Sequence, residues 1–144
     1  MNRAHTIDAL ILAVFRLNGQ LIEEGNRLVK DLGLTSALWQ VLGALELSPQ
    51  PLPVAHIARN MGLTRQSVQR VVDVLAGKGL VRFEPNPHHQ RAQLVVLSAA
   101  GRTAAKQALK RQRPWAQELA QGVPIEALTE ATRVIEQLSG KLAA

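Results

Sequence analysis

Six hydrogen-bonding side chains lie close together near the middle of the chain: Thr64, Arg65, Gln66, Ser67, Gln69 and Arg70. If this segment is a helix, the two arginines and two glutamines share one outward face, because their spacing is i, i+1, i+4, i+5. An apolar stripe at helical spacing begins among them and continues beyond Arg70: Val68, Val71, Val72 and Leu75. Arginine can bond the O6 and N7 of guanine, and glutamine the N6 and N7 of adenine. The pattern predicts a helix that reads base edges in a DNA major groove, and the alternative is an ordinary surface helix.

A second group of polar side chains lies in the proline-rich segment 85–91: His88, His89 and Arg91. The guanidinium of Arg91 can enter a narrow minor groove, and the two imidazoles can contact phosphates. Two adjacent histidines could also hold a metal, but no other ligand type stands beside them in the sequence. We therefore expect three further DNA contacts here and no metal site.

The positive charge of the chain is concentrated around these groups. Ten basic and two acidic residues lie between Thr64 and Arg113, a net charge of +8, whereas the rest has seven basic and nine acidic residues, a net −2. A phosphate-binding surface requires such a concentration, although a solvated basic face without a partner has the same composition.

Two short helices around a glycine turn are predicted to position the polar face. Pro53 suits the first turn of the first helix, Gly62 and Leu63 form the turn, and Thr64 caps the second helix. This is the outline of a helix-turn-helix. Two strand-like runs follow, Val81–Glu84 and Ala92–Leu97, and the polar segment between them predicts a β-hairpin wing.

Longer helices are predicted on both sides of this unit. Apolar residues recur at helical spacing from Ile7 to Leu32, and Gly33 suits the end of that helix. Thr35 or Ser36 caps a second helix, and 48–53 is a connection with three prolines. Ser98 caps a long helix towards Leu119, with Pro114 as a kink or break, and a last helix spans 125–142. The fold class is mainly α with a small β-hairpin wing.

Composition excludes several function classes. The absence of cysteine removes disulfides, thiol nucleophiles and cysteine-ligated zinc. No glycine-rich phosphate loop or nucleophile–base pair can be assembled, so we expect neither an enzyme nor a cofactor. The apolar run from Ala9 to Phe15 is far shorter than the roughly 20 residues of a membrane span, and Asp8 and Arg16 flank it too closely for a signal peptide. We expect a cytoplasmic protein.

One stretch of sequence, residues 53–75, continues into a series of short motifs: Gly79-Leu80-Val81, Asn86-Pro87, Arg91, Leu97-Ser98 and Gly101-Arg102. In these residues the middle of the chain resembles the MarR family of bacterial regulators, most closely over 53–75. The flanking helices agree by pattern and placement only. The family commonly has aspartates where this chain has Asn86 and His89, so the usual carboxylate partner of Arg91 is missing.

The resemblance implies one domain, 1–144, in which 1–33 and 99–144 form dimerisation helices and 34–98 the DNA-binding winged helix-turn-helix. It implies a homodimer that binds double-stranded DNA at a pseudo-palindromic operator and represses transcription, with activation left open. It also implies release by a small aromatic or phenolic ligand, for which Phe15, Arg16 and Trp39, with His5, are candidates. A tryptophan at helical spacing, such as Trp39, is more often a core residue than a ligand contact. The alternatives are a non-specific nucleic-acid binder and a winged-helix module that binds a protein.

Overall fold

The computed structural model describes residues 2–143, so residues 1 and 144 of the predicted domain lie outside the described residues. It divides into two compact units, one extending to Gln112 and the other beginning at Arg113. Within the described residues the elements are α1 (Arg3–Val29), α2 (Ser36–Leu47), β1 (Leu52–Pro53), α3 (Val54–Met61), α4 (Arg65–Gly77), β2 (Val81–Glu84), β3 (Leu94–Leu97), α5 (Ala99–Leu119) and α6 (Ile125–Leu142). The predicted class, mainly α with a small β wing, is confirmed.

Helix α1 ends close to where the sequence predicts. A single 3-10 turn, Lys30–Leu32, follows Val29, and Gly33 then adopts the left-handed conformation with φ 75°. Glycine has no Cβ to oppose this conformation, which is why it stops helices. The middle of α1 is exposed, and only Gly25 and Val29 of this helix are buried.

The core of the first unit is built mainly from α2, α3, α4 and the sheet, with Val29 of α1 and Ala105 and Ala108 of α5. Its largest fully buried side chains are Leu42, Ile57, Leu75, Val29, Val41, Val68, Val72 and Val95. The stripe predicted for α4 supplies three buried residues, while its fourth member, Val71, is half-buried. Burying such side chains is the main stabilising contribution to the lobe, at roughly 1.5–3 kcal/mol for each valine or leucine. It also fixes which face of α4 points outwards.

The sheet has three antiparallel strands in the order β1-β3-β2. In the hairpin, Val81 lies opposite Leu97 and Glu84 opposite Leu94, so the predicted wing is present. Strand β3 begins at Leu94 instead of Ala92, because the Ala92 N–H donates to the carbonyl of His89 within the loop, at 3.3 Å.

Strand β1 was not predicted, because its segment was expected to be a connection only. Leu52 lies opposite Val95 and Pro53 opposite Leu94. Two residues are too few to show an alternating pattern. A proline lacks the N–H of a strand interior but is tolerated at the sheet edge, where β1 lies.

The start of α5 is packed against the backbone at the base of the hairpin. The Ser98 hydroxyl donates to the carbonyl of Gly79 at 2.6 Å and accepts from the N–H of Gly101 at 3.0 Å, which confirms Ser98 as the cap. Ser98 N–H donates to the carbonyl of Leu80 at 3.1 Å. A Cβ placed on Gly101 would lie 1.9 Å from that same carbonyl oxygen, so only glycine fits.

Pro114 does not interrupt α5, which is helical from Ala99 to Leu119. Proline removes one backbone donor and crowds the preceding turn, and a helix can bend around it without ending. No helix in residues 2–143 is long and apolar enough to cross a membrane.

A buried hydroxyl joins α1 to α2. The Ser36 hydroxyl donates to the carbonyl of Ile22 at 2.6 Å, and the Ser36 N–H donates to the side-chain oxygen of Asn26 at 2.7 Å. A Cβ on Gly25 would lie 2.3 Å from the Ser36 oxygen. The absence of a side chain at Gly25 therefore lets the two helices approach.

Arg111 of α5 binds residues at the end of α1. It donates to the carbonyl of Leu28 at 3.2 Å and pairs with Asp31. The hydrogen bond from Arg111 holds the pKa of the Asp31 carboxyl below its usual value. The end of α1 is thus attached to α5 as well as to α2.

Gly25→Ala should destabilise the chain by about 1–3 kcal/mol, because the new methyl displaces the Ser36 hydroxyl from its hydrogen bond. In the Gly25→Ala/Ser36→Ala double variant the oxygen is gone, and the nearest Ser36 atom left is a carbon at 3.4 Å. The double variant should therefore be more stable than the two single effects predict, with a coupling of about 1 kcal/mol or more. Urea unfolding of the wild type, the two single variants and the double variant measures the free energies of unfolding. If the two single effects simply add, the close contact between Gly25 and Ser36 is contradicted.

Candidate nucleic-acid interface

The polar face of α4 is held by the turn that precedes it. Gly62 is left-handed, with φ 66°, and ends α3. The Thr64 hydroxyl accepts from the N–H of Ser67 at 3.1 Å, and the Ser67 hydroxyl donates to the Thr64 carbonyl at 2.9 Å. The predicted turn and cap are confirmed. Both hydroxyls are already engaged in starting the helix, so they have less freedom than Arg65 or Gln66 to bind another molecule.

An open cleft of about 680 Å³ lies between α4, the start of α3 and the wing. It brings together Arg65, Gln66 and Gln69 from α4 with Arg91 from the wing. The other lining residues are Pro53, Val54, Ala55, Asp73, Phe83, Ala92 and Gln93. Members of both groups of polar residues singled out in the sequence, Arg91 and three residues of α4 that lie 22 or more positions before it, thus face one cavity, here called the recognition cleft.

The remaining predicted site residues lie outside this lining. Arg70 is exposed on α4, and His88 and His89 are exposed in the wing loop. None of Phe15, Arg16 and Trp39 lines the recognition cleft. Phe15 is 69% exposed on α1, whereas Trp39 is half-buried on α2 and packs against the core beside Gly25.

The wing loop is closed by Asn86 in place of a carboxylate. Its side-chain oxygen accepts from the N–H of His88 at 3.0 Å, and its carbonyl accepts from the N–H of His89 at 3.3 Å. An amide oxygen can close such a turn as an aspartate does. In the described part of the chain no carboxylate forms an ion pair with Arg91.

Ion pairs divide the basic residues into two groups. Arg82 pairs with Glu84 at 3.0 Å, Arg102 lies 3.8 Å from Glu46, and Arg111 pairs with Asp31. By contrast, across residues 2–143 neither arginine of the recognition cleft has a carboxylate within 4.0 Å, and the same holds for Arg70. A phosphate or base edge can therefore bind these guanidinium groups without displacing an internal partner.

Sequence reasoning missed Asp73, which lines the cleft and accepts a hydrogen bond from Gln69 Nε2 at 2.9 Å. The i, i+4 spacing of the two residues was a signal that could have revealed the pair. Within residues 2–143 no cluster of three or more histidine, aspartate or glutamate side chains is arranged to hold a metal.

The sequence matches both a family model and a relative of similar length. Residues 32–92 match the model of the MarR family. An uncharacterized protein of Mycobacterium tuberculosis is 37% identical over 127 residues, which are 88% of this chain and 87% of that protein.

Two solved structures show the same fold. The M. tuberculosis transcriptional regulator MOSR, in complex with DNA, has a TM-score of 0.78 at 24% identity and covers 92% of this chain and 94% of its own. CouR from Rhodococcus jostii RHA1, bound to p-coumaroyl-CoA, has a TM-score of 0.80 at 19% identity and covers 90% and 91%. The family match spans the helix-turn-helix and most of the wing, and the chain belongs to the MarR family of transcriptional regulators.

Proposed function

We propose that this MarR-family regulator is a homodimer that represses transcription by occupying a pseudo-palindromic operator. The observation that carries the proposal is the recognition cleft, where Arg65 and Arg91 converge with the two glutamines of α4. Neither arginine has an ion-pair partner among the described residues. Such groups bind phosphates and base edges. We further propose that the protein acts in the cytoplasm and that 34–98 is its DNA-binding part, with 1–33 and 99–144 forming the dimer.

The proposed DNA contacts divide by chemistry. Thr64, Arg65, Gln66, Ser67, Gln69 and Arg70 contact the major groove, and their position at the N-terminal end of α4 is where recognition helices meet bases. His88, His89 and Arg91 contact the backbone and the adjacent minor groove through the wing. MOSR, a protein of the same fold, has been solved in complex with DNA, which supports the proposal.

Exposed apolar side chains support the proposed dimer. On α1 they include Ile11, Leu12, Val14, Phe15, Leu17, Leu21 and Ile22, and on α6 Ile125, Leu128, Ile135 and Leu142. Apolar faces of this extent on a small regulator are typical of surfaces buried by a second copy.

Leu17→Asp combined with Leu21→Asp should convert the dimer to a monomer. These side chains are 48% and 40% exposed and lie outside the core, so the fold should survive while the shared apolar face is lost. Sedimentation velocity at tens of micromolar measures the mass, and circular dichroism checks the fold. Asn18→Asp, on the same helix, adds a charge without removing an apolar side chain and should remain dimeric. A monomeric wild-type chain would contradict the proposal.

We also propose that a small aromatic or phenolic ligand releases the DNA, with Phe15, Arg16 and Trp39 as contacts. The binding of p-coumaroyl-CoA by CouR supports a ligand of this class. Titrating the protein–operator complex with phenolic acids and their coenzyme A thioesters tests it. We expect one of these compounds to release the operator, and we expect Trp39→Ala to weaken that release. If no compound of the panel releases the operator, the proposed ligand is wrong.

The test of DNA recognition is a selection from random duplexes with the full chain, followed by titration at two salt concentrations. We expect a palindromic consensus bound about 10³-fold or more above scrambled DNA, with half-sites about 34–36 Å apart. Equal and steeply salt-dependent binding to every duplex would indicate a non-specific binder instead. No binding at either salt concentration would favour a winged-helix module that binds a protein.

A further inference from the structure

Asp73 is the one acidic side chain among the described residues that line the recognition cleft. It lies one helical turn after Gln69 on α4 and is exposed, as is Gln69. Its Oδ1 accepts a hydrogen bond from Gln69 Nε2 at 2.9 Å. A negative charge that faces DNA opposes binding, so a carboxylate at this point needs an explanation other than affinity.

The chemistry of the pair fixes the direction of the glutamine amide. An ionised carboxylate only accepts hydrogen bonds, so it can hold the NH₂ end of the amide and not the carbonyl end. With one N–H of Gln69 on Asp73, the carbonyl oxygen and the second N–H remain available to another molecule. A glutamine without this partner could turn its amide over to suit whatever it meets.

We propose that Asp73 is a positioning residue that orients the amide of Gln69 and thereby sets a preference for adenine over guanine at one position of each half-site. The inference rests on the proposed function, because it requires α4 to read bases. Adenine presents a donor at N6 and an acceptor at N7, which match the free oxygen and the free N–H of the oriented amide. Guanine presents two acceptors, O6 and N7, so one of them would meet the amide oxygen.

Asp73 therefore acts by excluding the wrong base more than by attracting the right one. A free amide can turn both of its N–H groups towards O6 and N7 of guanine, whereas the amide held by Asp73 has one N–H left and must present its oxygen to the second acceptor. Specificity of this kind is obtained at the expense of affinity, since the carboxylate also repels nearby phosphates. Two opposite consequences follow for its removal: tighter binding to DNA in general and weaker discrimination at one base pair.

The Asp73→Asn variant separates these effects from a structural role. Asparagine is the same size and can either accept from Gln69 or donate to it, so the amide of Gln69 is free to turn while the charge is gone. The matched control is Asp8→Asn, which removes one negative charge from an exposed position on α1 outside the cleft. Gln69→Ala and the double variant Gln69→Ala/Asp73→Asn complete a double-mutant cycle with Asp73→Asn and the wild type.

The experiment measures the affinity of each full-length protein for the selected operator, for operators with single base changes at every position, and for a scrambled duplex. In Asp73→Asn we expect the preference for adenine over guanine at one position to fall by about tenfold, with the other positions unchanged. Affinity for the scrambled duplex should rise by about twofold or more, in contrast to Asp8→Asn. Gln69→Ala should lose the same preference, and adding Asp73→Asn to it should change no base preference further.

A wrong role for Asp73 and a wrong proposed function give different results. If Asp73→Asn keeps the wild-type preference at every position, or loses affinity for all duplexes alike, the positioning role is wrong. If the wild-type chain shows no base preference at all, the proposed function itself fails. Unchanged urea unfolding of Asp73→Asn would show that the pair does not act merely by stabilising α4.

Discussion

Gly101→Ala is expected to lower the free energy of unfolding by about 3 kcal/mol or more, at the upper end of overpacking effects. The alanine Cβ would lie 1.9 Å from the carbonyl oxygen of Leu80 and 2.9 Å from its carbonyl carbon. Both atoms are backbone, so no side-chain rotation can relieve the clash. The start of α5 would have to move away from the hairpin, and the Ser98 hydrogen bonds to Gly79 and Leu80 would be strained or lost.

Urea unfolding with circular dichroism measures this effect, and Gly43→Ala provides the matched control. Gly43 is also helical, in α2 of the same unit, but a Cβ there meets nothing within 4 Å. That variant should be unchanged or more stable by up to about 1 kcal/mol, since alanine favours helix over glycine. A Gly101→Ala protein as stable as the control would contradict the close approach of α5 to the hairpin.

Combining Arg65→Ala with Arg91→Ala is expected to abolish tight operator binding. Arg65→Ala should cost about 1–3 kcal/mol of binding free energy and relax the preference for specific bases, because it removes a proposed base contact. Arg91→Ala should weaken binding to all duplexes more evenly. It should also reduce the slope of log affinity against log salt concentration by about one, because one phosphate contact is lost. The double variant should bind the operator little better than scrambled DNA.

Fluorescence anisotropy with operator and scrambled duplexes at two salt concentrations measures these changes. Arg133→Ala is the control, because Arg133 of α6 is paired with Glu130 at 2.6 Å and lies outside the recognition cleft. It removes one positive charge and should leave operator affinity nearly unchanged. If Arg65, Arg70 and Arg91 can all be replaced without loss of affinity, the proposed interface is wrong.

The sequence predicts the elements of the winged helix-turn-helix well because their signals are local. The cap at Thr64, the turn at Gly62 and the apolar stripe of α4 each depend on residues within one or two helical turns. The hairpin is also predicted, since the polar segment between its two apolar runs indicates its turn. The end of α1 is off by one 3-10 turn, which is the usual uncertainty of a helix terminus.

The structural features that the sequence does not predict depend on contacts between residues far apart in the chain. Strand β1 exists only because Leu52 and Pro53 pair with β3, more than 40 positions later. The fit of Gly25 against Ser36 requires knowledge of how two helices cross. At the candidate site, the polar residues are predicted by type, but their meeting in one cleft and the orientation of Gln69 by Asp73 are tertiary facts.

We expect the wing to be stiffer at its base than at its tip, because the hydrogen bonds of Ser98 lie at the base. At the base, the hydroxyl and N–H of Ser98 fasten the start of α5 to the backbone that leads into β2, so these segments move together. Towards the tip, the loop is closed by short-range bonds such as those of Asn86, and no ion pair among the described residues restrains Arg91. If Arg91 contacts DNA as proposed, its guanidinium can therefore adjust to grooves of different width while α4 stays in place.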